Sequence, residues 1–279
     1  MKTKNITTIF VSLFAQAIYS QVGVNTTTPN ASAVLDVTSD SKGLLVPRLT
    51  TDAVKTLTPT AAEGLVVYNK DKKVFIGWDG TKWQILGNVE SQNSESLASW
   101  EVNGYSNYGA SPANSSGVSA AVSSATIERG SGLAASSGAA ANTWGASAWD
   151  QPDLQNAIDN GDYALITINF VAGKKVSFTK IGAMNFRRSA TGSDNVQWQY
   201  SLDNISFTNI NSPISGLTSA TSGNSISEKS LSNFYDLQNI DTNSVTKIYF
   251  RLVSYNGTGG NFYINNVTGN DLEFFGTIN

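Results

Sequence analysis

The chain contains no cysteine and no histidine. Without thiols there are no disulfides, so an exported chain of this kind holds together by core size or by assembly. Without imidazole, the Ser-His-Asp and Cys-His nucleophile systems are excluded. A zinc site built on His and Cys is excluded with them. What remains is carboxylate, lysine, arginine or tyrosine chemistry, and hard oxygen-bound cations such as calcium. Charge is scarce too: charged residues are 14% of the 279, where an ordinary domain carries about 25%. The net charge is −3 and no basic block stands out, so nucleic-acid binding and a polybasic membrane patch lack electrostatic support. Apolar runs fall well short of the ~20 residues a spanning helix needs, so no transmembrane span is expected.

What is present begins with Lys2 and Lys4, then a mostly apolar run from Ile9 to Ala17, then small residues at Ala15, Ala17 and Ser20. The order basic, apolar, small is that of a secretory signal peptide, predicted over residues 1–20 with cleavage after Ala17 or Ser20. A secreted or outer-cell-surface location follows as an expectation. Ser, Thr and Asn fill the space left by charge, as in extracellular β-structure. Aromatics at 10% argue against disorder.

Three segments follow. Residues 21–88 contain short apolar runs and end in a predicted hairpin. Val74 to Trp78 and Trp83 to Ile85 flank Asp79-Gly80, a pair suited to a two-residue type I′ turn with positive φ at both positions. Residues 89–98 are polar and lack periodicity, reading as a linker. From 99 to 279, apolar residues alternate with polar ones: Ile166, Ile168 and Phe170; Val196, Trp198 and Tyr200; Ile248, Phe250 and Leu252; Leu272 and Phe274. Period-2 burial with one solvated face predicts strands. Turn clusters at Asp203-Asn204, Asn256 to Gly260 and Gly269 to Asp271 separate them. One short helix is predicted near Asp153 to Asp159, behind Pro152. The stretch from Ser106 to Ala148 reads as short strands (Val118 to Val122, Thr126 to Arg129) joined by long loops. The fold class predicted is all-β: a C-terminal jelly-roll β-sandwich preceded by a small hairpin-containing module.

Two resemblances accompany this reading. Val22 to Pro29, Ala33 to Val37, Lys42 to Thr50, Gly64 to Asn69 and Trp78 to Trp83 stand in the order of motifs of a phage tail-fibre-like N-terminal module of exported bacterial proteins. That resemblance implies a stalk or trimerising base, hence a homotrimer. Ser99 to Ser106, Ile127 to Leu133, Met184 to Asn204 and Lys247 to Ile278 are similar to a jelly-roll module of secreted bacterial proteins. The family's "IDNV" reads Ile264-Asn265-Asn266-Val267 here, which weakens any carboxylate role at Asn265. The fold is shared with carbohydrate-binding modules, but a fold does not fix a function.

Candidate site residues follow from side-chain chemistry. One of Arg187 and Arg188, with Gln197, Gln199, Tyr249 and Arg251, forms a polar, aromatic-edged face suited to sugar hydroxyls; alternatively the arginines pair with Asp194 or Asp203 and pin a loop. Adjacent strand residues point to opposite faces, so Arg187 and Arg188 cannot line one surface together. Asp150, Asp162 and Asp271 are oxygen donors of the type calcium takes, without a dense Asp-x-Asp run to support them. Trp144 and Trp149 either stack on a ligand or plug the end of the sandwich. Glu101, Glu128, Glu228 and Glu273 are far apart in sequence, with no Glu-x-Asp-x-Glu strand of the glycosidase kind. The expectation is a non-catalytic binding or adhesion protein with a glycan or cell-surface partner. A polysaccharide-active enzyme using Glu/Asp or Tyr, and a structural surface component, remain as alternatives.

Overall fold

The computed structural model describes residues 21–87, 94–135 and 140–279. The expected signal segment and residues 89–93 of the expected linker lie outside the described residues. The chain divides into one unit ending at Pro47 and a second from Arg48 to Asn279. No described helix is long and apolar enough to cross a membrane.

The first unit holds a parallel two-stranded ribbon, β1 (Val22–Val24) and β2 (Leu35–Val37), in register Val22 to Leu35 and Val24 to Val37. Gly23 permits the tight return of the connecting loop, since a Cβ there would meet the Thr26 carbonyl at 2.7 Å and the Pro29 ring at 2.8 Å. The Asp36 carboxylate accepts from Asn30 N–H at 2.8 Å and the Asn30 side chain accepts from Ser32 N–H at 3.0 Å. No residue from 21 to 47 is buried.

The second unit opens with β3 (Arg48–Leu49), α1 (Thr51–Leu57), β4 (Val66–Asn69), β5 (Val74–Trp78) and β6 (Trp83–Ile85). Thr50 caps α1, its hydroxyl accepting from Ala53 N–H. The strands form one sheet in the order β3-β4-β5-β6. The hairpin is present, but its turn lies one residue further on than predicted. Asp79 N–H donates to the Lys82 carbonyl at 3.1 Å, and only Gly80 has positive φ. The Asp79 carboxylate decides this by accepting from Thr81 and Lys82 N–H at 2.9 and 2.8 Å.

The sandwich contains, in chain order, β7 (Glu95–Trp100), β8 (Ala113–Asn114), β9 (Gly117–Val118), β10 (Val122–Arg129), β11 (Thr143–Trp149), α2 (Leu154–Asn160), β12 (Tyr163–Phe170) and β13 (Lys175–Ile181). Next come β14 (Met184–Arg188), β15 (Asn195–Ser201), β16 (Thr208–Ile214), β17 (Asn224–Ile226), β18 (Lys229–Ser230) and β19 (Ile240–Asp241). The last three are β20 (Lys247–Tyr255), β21 (Gly260–Asn265) and β22 (Leu272–Ile278). One sheet runs β16-β15-β20-β12-β10-β8, a second β18-β13-β22-β7-β9 with β19 also on β13, and a third β11-β21-β14-β17. Most successive long strands leave one sheet for another, β15 and β16 being the exception, so the sheets stack as a β-sandwich. The predicted all-β class is the observed one.

One apolar core lies between the sheets. Phe250 of the first packs against Phe178 and Phe274 of the second, with ring centroids 5.2 and 4.5 Å apart. Phe262 of the third meets Phe186 at 5.1 Å and Trp149 at 5.3 Å. Such offset and edge-on contacts add to the burial itself. The predicted helix is α2: Asp153 caps it through Asn156 N–H, and Gly161 ends it at φ 86°.

Two expectations need correction. Glu95 to Ala98, read as linker, is strand, because β7 pairs with both β22 and β9 and buries Leu97 and Ala98 completely. Thr143 to Trp149, read within a loop region, is β11, paired to β21 from Thr143↔Asn265 to Trp149↔Gly260. Trp144 and Trp149 are buried in it, their indole N–H groups donating to the carbonyls of Ala110 and Ala146.

Candidate functional site

The α1–hairpin sheet does not hang free of the sandwich. Val54, Val67, Ile76, Trp83 and Ile85 form a small core with Tyr235, which comes from the sandwich side. Asn69 is fully buried and its amide donates to the Tyr235 hydroxyl at 2.7 Å, while its carbonyl accepts from Asp71 and Lys72 N–H. The Lys72 Nζ donates to the carbonyls of Tyr235 and Gln238 at 3.0 and 2.5 Å and lies 4.4 Å from the Tyr235 ring centroid. Asn239 returns a bond to the Lys72 carbonyl at 3.2 Å. At the edge of the hairpin, Ile85 N–H donates to the Asn233 carbonyl at 3.4 Å, and Gln84 bridges to Phe234.

This joint frames a cleft of about 620 Å³. The rings of Trp78, Trp83 and Tyr235 line it, Trp78 and Trp83 lying 5.4 Å apart. Lys82 reaches in from the hairpin with its Nζ 4.8 Å from the Phe234 ring centroid. Asp236 lies on the opposite wall and accepts from the Tyr200 hydroxyl at 3.4 Å. Burial lowers the Lys72 amine to about 8, against a weaker opposing pull from Asp236. Burial raises the Tyr235 phenol to about 12.

The six residues expected to bind sugar are not brought together. Gln199 and Arg251 are cross-strand partners, and Arg251 Nε donates to Gln199 Oε1 at 2.8 Å. Both are buried, and the Arg251 guanidinium lies 3.8 Å from the Phe207 ring centroid and 5.1 Å from that of Tyr163. Gln197 is buried as well, its amide donating to the carbonyls of Trp198 and Ile210 where the β15–β16 register shifts. Arg188 and Arg187 sit on β14, in another sheet. Arg188 donates to the carbonyls of Gly192, Leu217 and Ala190. It therefore pins a loop, through backbone carbonyls rather than through Asp194 or Asp203. Arg187 lies 5.7 Å from the Tyr263 ring centroid. Tyr249 borders a shallow opening of about 240 Å³ beside Leu202 and Lys247.

The three aspartates also part company. Asp162 accepts from Asn160 Nδ2 at 2.6 Å and from Asp150 N–H at 3.4 Å, while Asp150 accepts from Gln151. Asp271 is fully buried elsewhere, its two oxygens accepting from Val102 N–H at 2.7 Å and Val267 N–H at 2.6 Å. Burial pushes it up to about 6, with a smaller contribution from the neighbouring Glu101 carboxylate, which favours the protonated form of Asp271. No group of three or more acidic side chains among the described residues is arranged to hold a metal ion. The expected calcium set is corrected accordingly: each carboxylate oxygen of Asp162 and Asp271 is already spent on an N–H.

Sequence reasoning passed over the cleft. Trp78 and Trp83 were legible as hairpin residues, but the wall they face comes from residues beyond 200, and no local pattern announces that pairing.

Residues 23–99 match the family described as phage tail like trimerisation region. That span takes in the ribbon, α1 and the hairpin, and supports the tail-fibre-like resemblance of this part of the chain. Comparison with curated proteins and with solved structures gave no match.

Proposed function

We propose that this chain is an exported, non-catalytic adhesion or structural protein. Three copies assemble through the N-terminal segment and display their sandwiches, with glycans as the partner class. The observation that carries the reading is the apolar surface of the first unit. Val22, Val24, Val34, Leu35, Val37, Leu44 and Leu45 are each at least 41% exposed, and none has a core to join within its own unit. A lone two-stranded ribbon is marginal in water. Apolar surface of this density marks an interface, and the match of residues 23–99 to a trimerisation region supports a stoichiometry of three. Export rests on the Lys2/Lys4, apolar, small-residue order of the first twenty residues. The non-catalytic reading rests on the carboxylates. Both Asp271 oxygens accept from backbone N–H groups, of Val102 and Val267, and Glu228 is engaged by Lys180 at 2.6 Å.

Light scattering on the mature chain tests the assembly. The expected mass is that of three chains. Val24→Asp combined with Leu35→Asp shifts it to one chain while leaving the melting of the sandwich unchanged. A monomeric wild-type protein at micromolar concentration would refute the trimer.

A further inference from the structure

The cleft between the hairpin sheet and the sandwich has the makings of a binding site. Its walls are joined by the buried Asn69–Tyr235 bond, the Lys72 contacts and the Gln84–Phe234 bridge, so its shape is set before any ligand arrives, which lowers the cost of binding. Its volume of about 620 Å³ falls within the ~300–1,000 Å³ of ligand pockets, which favour junctions of this kind.

We propose that this cleft, rather than the outer face of the sandwich, is the protein's glycan site, and that it takes a short uncharged oligosaccharide. The inference rests on the adhesion reading above. Its lining holds four lysines and four aspartates, so the charges cancel and a polyanion or polycation gains no net field. Lysine only donates hydrogen bonds and an ionised aspartate only accepts them, whereas a sugar hydroxyl does both. Lys82 on one wall and Asp236 and Asp241 on the other therefore satisfy the two ends of neighbouring hydroxyls. The half-buried indole of Trp78 offers the flat apolar surface on which the C–H face of a sugar ring packs, and the buried Trp83 ring backs it at 59°. On the sandwich itself, by contrast, Gln197, Gln199 and Arg251 are buried and already bonded.

The test is titration of the full mature chain with neutral, uronate-containing and sulfated oligosaccharides, read by calorimetry and by tryptophan emission. Trp83, Trp100, Trp144, Trp149 and Trp198 are buried, so an emission change on binding reports Trp78. A neutral glycan is expected to bind with such a change. Lys82→Ala with Asp236→Ala should weaken it at least about tenfold, the loss of one or two charge-assisted hydrogen bonds. Ser244→Trp, which fills the cleft from an exposed turn, should abolish it, and Tyr249→Ala and Arg187→Ala should leave it unchanged. Melting and oligomeric mass establish that each variant is folded. Binding that survives the cleft variants and falls with Tyr249→Ala or Arg187→Ala overturns the cleft and leaves the glycan reading standing. Binding confined to charged glycans overturns the uncharged class. No binding to any glycan overturns both.

Discussion

Lys72 is a cation placed where a cation is costly. Its stem crosses the Tyr235 ring and its nitrogen ends between two backbone carbonyls. A neutral amine still has two hydrogens to give, one for each carbonyl, so losing the proton keeps both bonds and removes the burial cost. The folded-state value of about 8 lies below the ordinary 10.5. Between those values the unfolded chain holds the extra proton, so this group's contribution to stability rises as pH goes from 8 towards 10.5. Thermal melts of wild type and Lys72→Met from pH 7 to 9.5 check this. The wild-type advantage should grow with pH; a constant difference would mean that the amine titrates normally. Asp271 runs the opposite way. Its folded value of about 6 lies above the ordinary 3.8, so its contribution is greatest below pH 4 and falls as pH rises to 6.

At the scale of elements, what could be read in the sequence depended on whether a strand has two different faces. β12 alternates strictly between buried and half-buried residues, and its pattern is plain in the sequence. β11, Thr-Trp-Gly-Ala-Ser-Ala-Trp, begins with four buried residues in succession. Arg129 and Tyr108 pack over it on one side, with Arg129 Nε donating to the Gly145 carbonyl at 2.6 Å and Tyr108 stacked 5.5 Å from Tyr263. A strand covered on both faces and built of small residues shows no period. β7 was missed for a related reason: its serines suggest a linker, and only pairing on both edges makes it a strand. At Gly145 the space is so tight that an added Cβ would lie 2.3 Å from the Tyr263 Cβ and 2.4 Å from the Phe262 carbonyl. Gly145→Ala should therefore cost at least about 2 kcal/mol through forced backbone movement, seen as a lower urea midpoint. An unchanged midpoint would show that β11 and β21 separate easily.

At the scale of the whole molecule, composition places the module boundary in the polar run at 89–98, beside the end of the family match at residue 99, and the compact unit from Arg48 runs through it. The reason is the set of contacts between Asn69, Lys72 or Gln84 and residues 233–239, more than 140 positions away and invisible to local pattern. The binding residues proposed from chemistry alone failed for the same kind of reason. Arg188, Gln197 and Arg251 have the right side chains, but the fold spends them on its own carbonyls and amides. Calorimetry on residues 48–279 should show one cooperative transition, and a chain trimmed to 94–279 should melt several degrees lower because Tyr235 and Phe234 lose their cover. Two separate transitions in the longer chain would restore the boundary to the polar run.

The joint at Tyr235 also has a mechanical consequence. If the N-terminal segment is anchored in an assembly and the sandwich is held by a partner, tension enters at Arg48 and reaches the sandwich by two routes in parallel. One is the covalent chain into β7, a strand paired on both edges. The other is the Asn69, Lys72 and Gln84 contacts to residues 233–239. While the second route holds, β7 is shielded from the load. The joint has few hydrogen bonds against the two ladders that hold β7, so it is expected to open before β7 does, which single-molecule pulling would read as a first extension with the sandwich still folded.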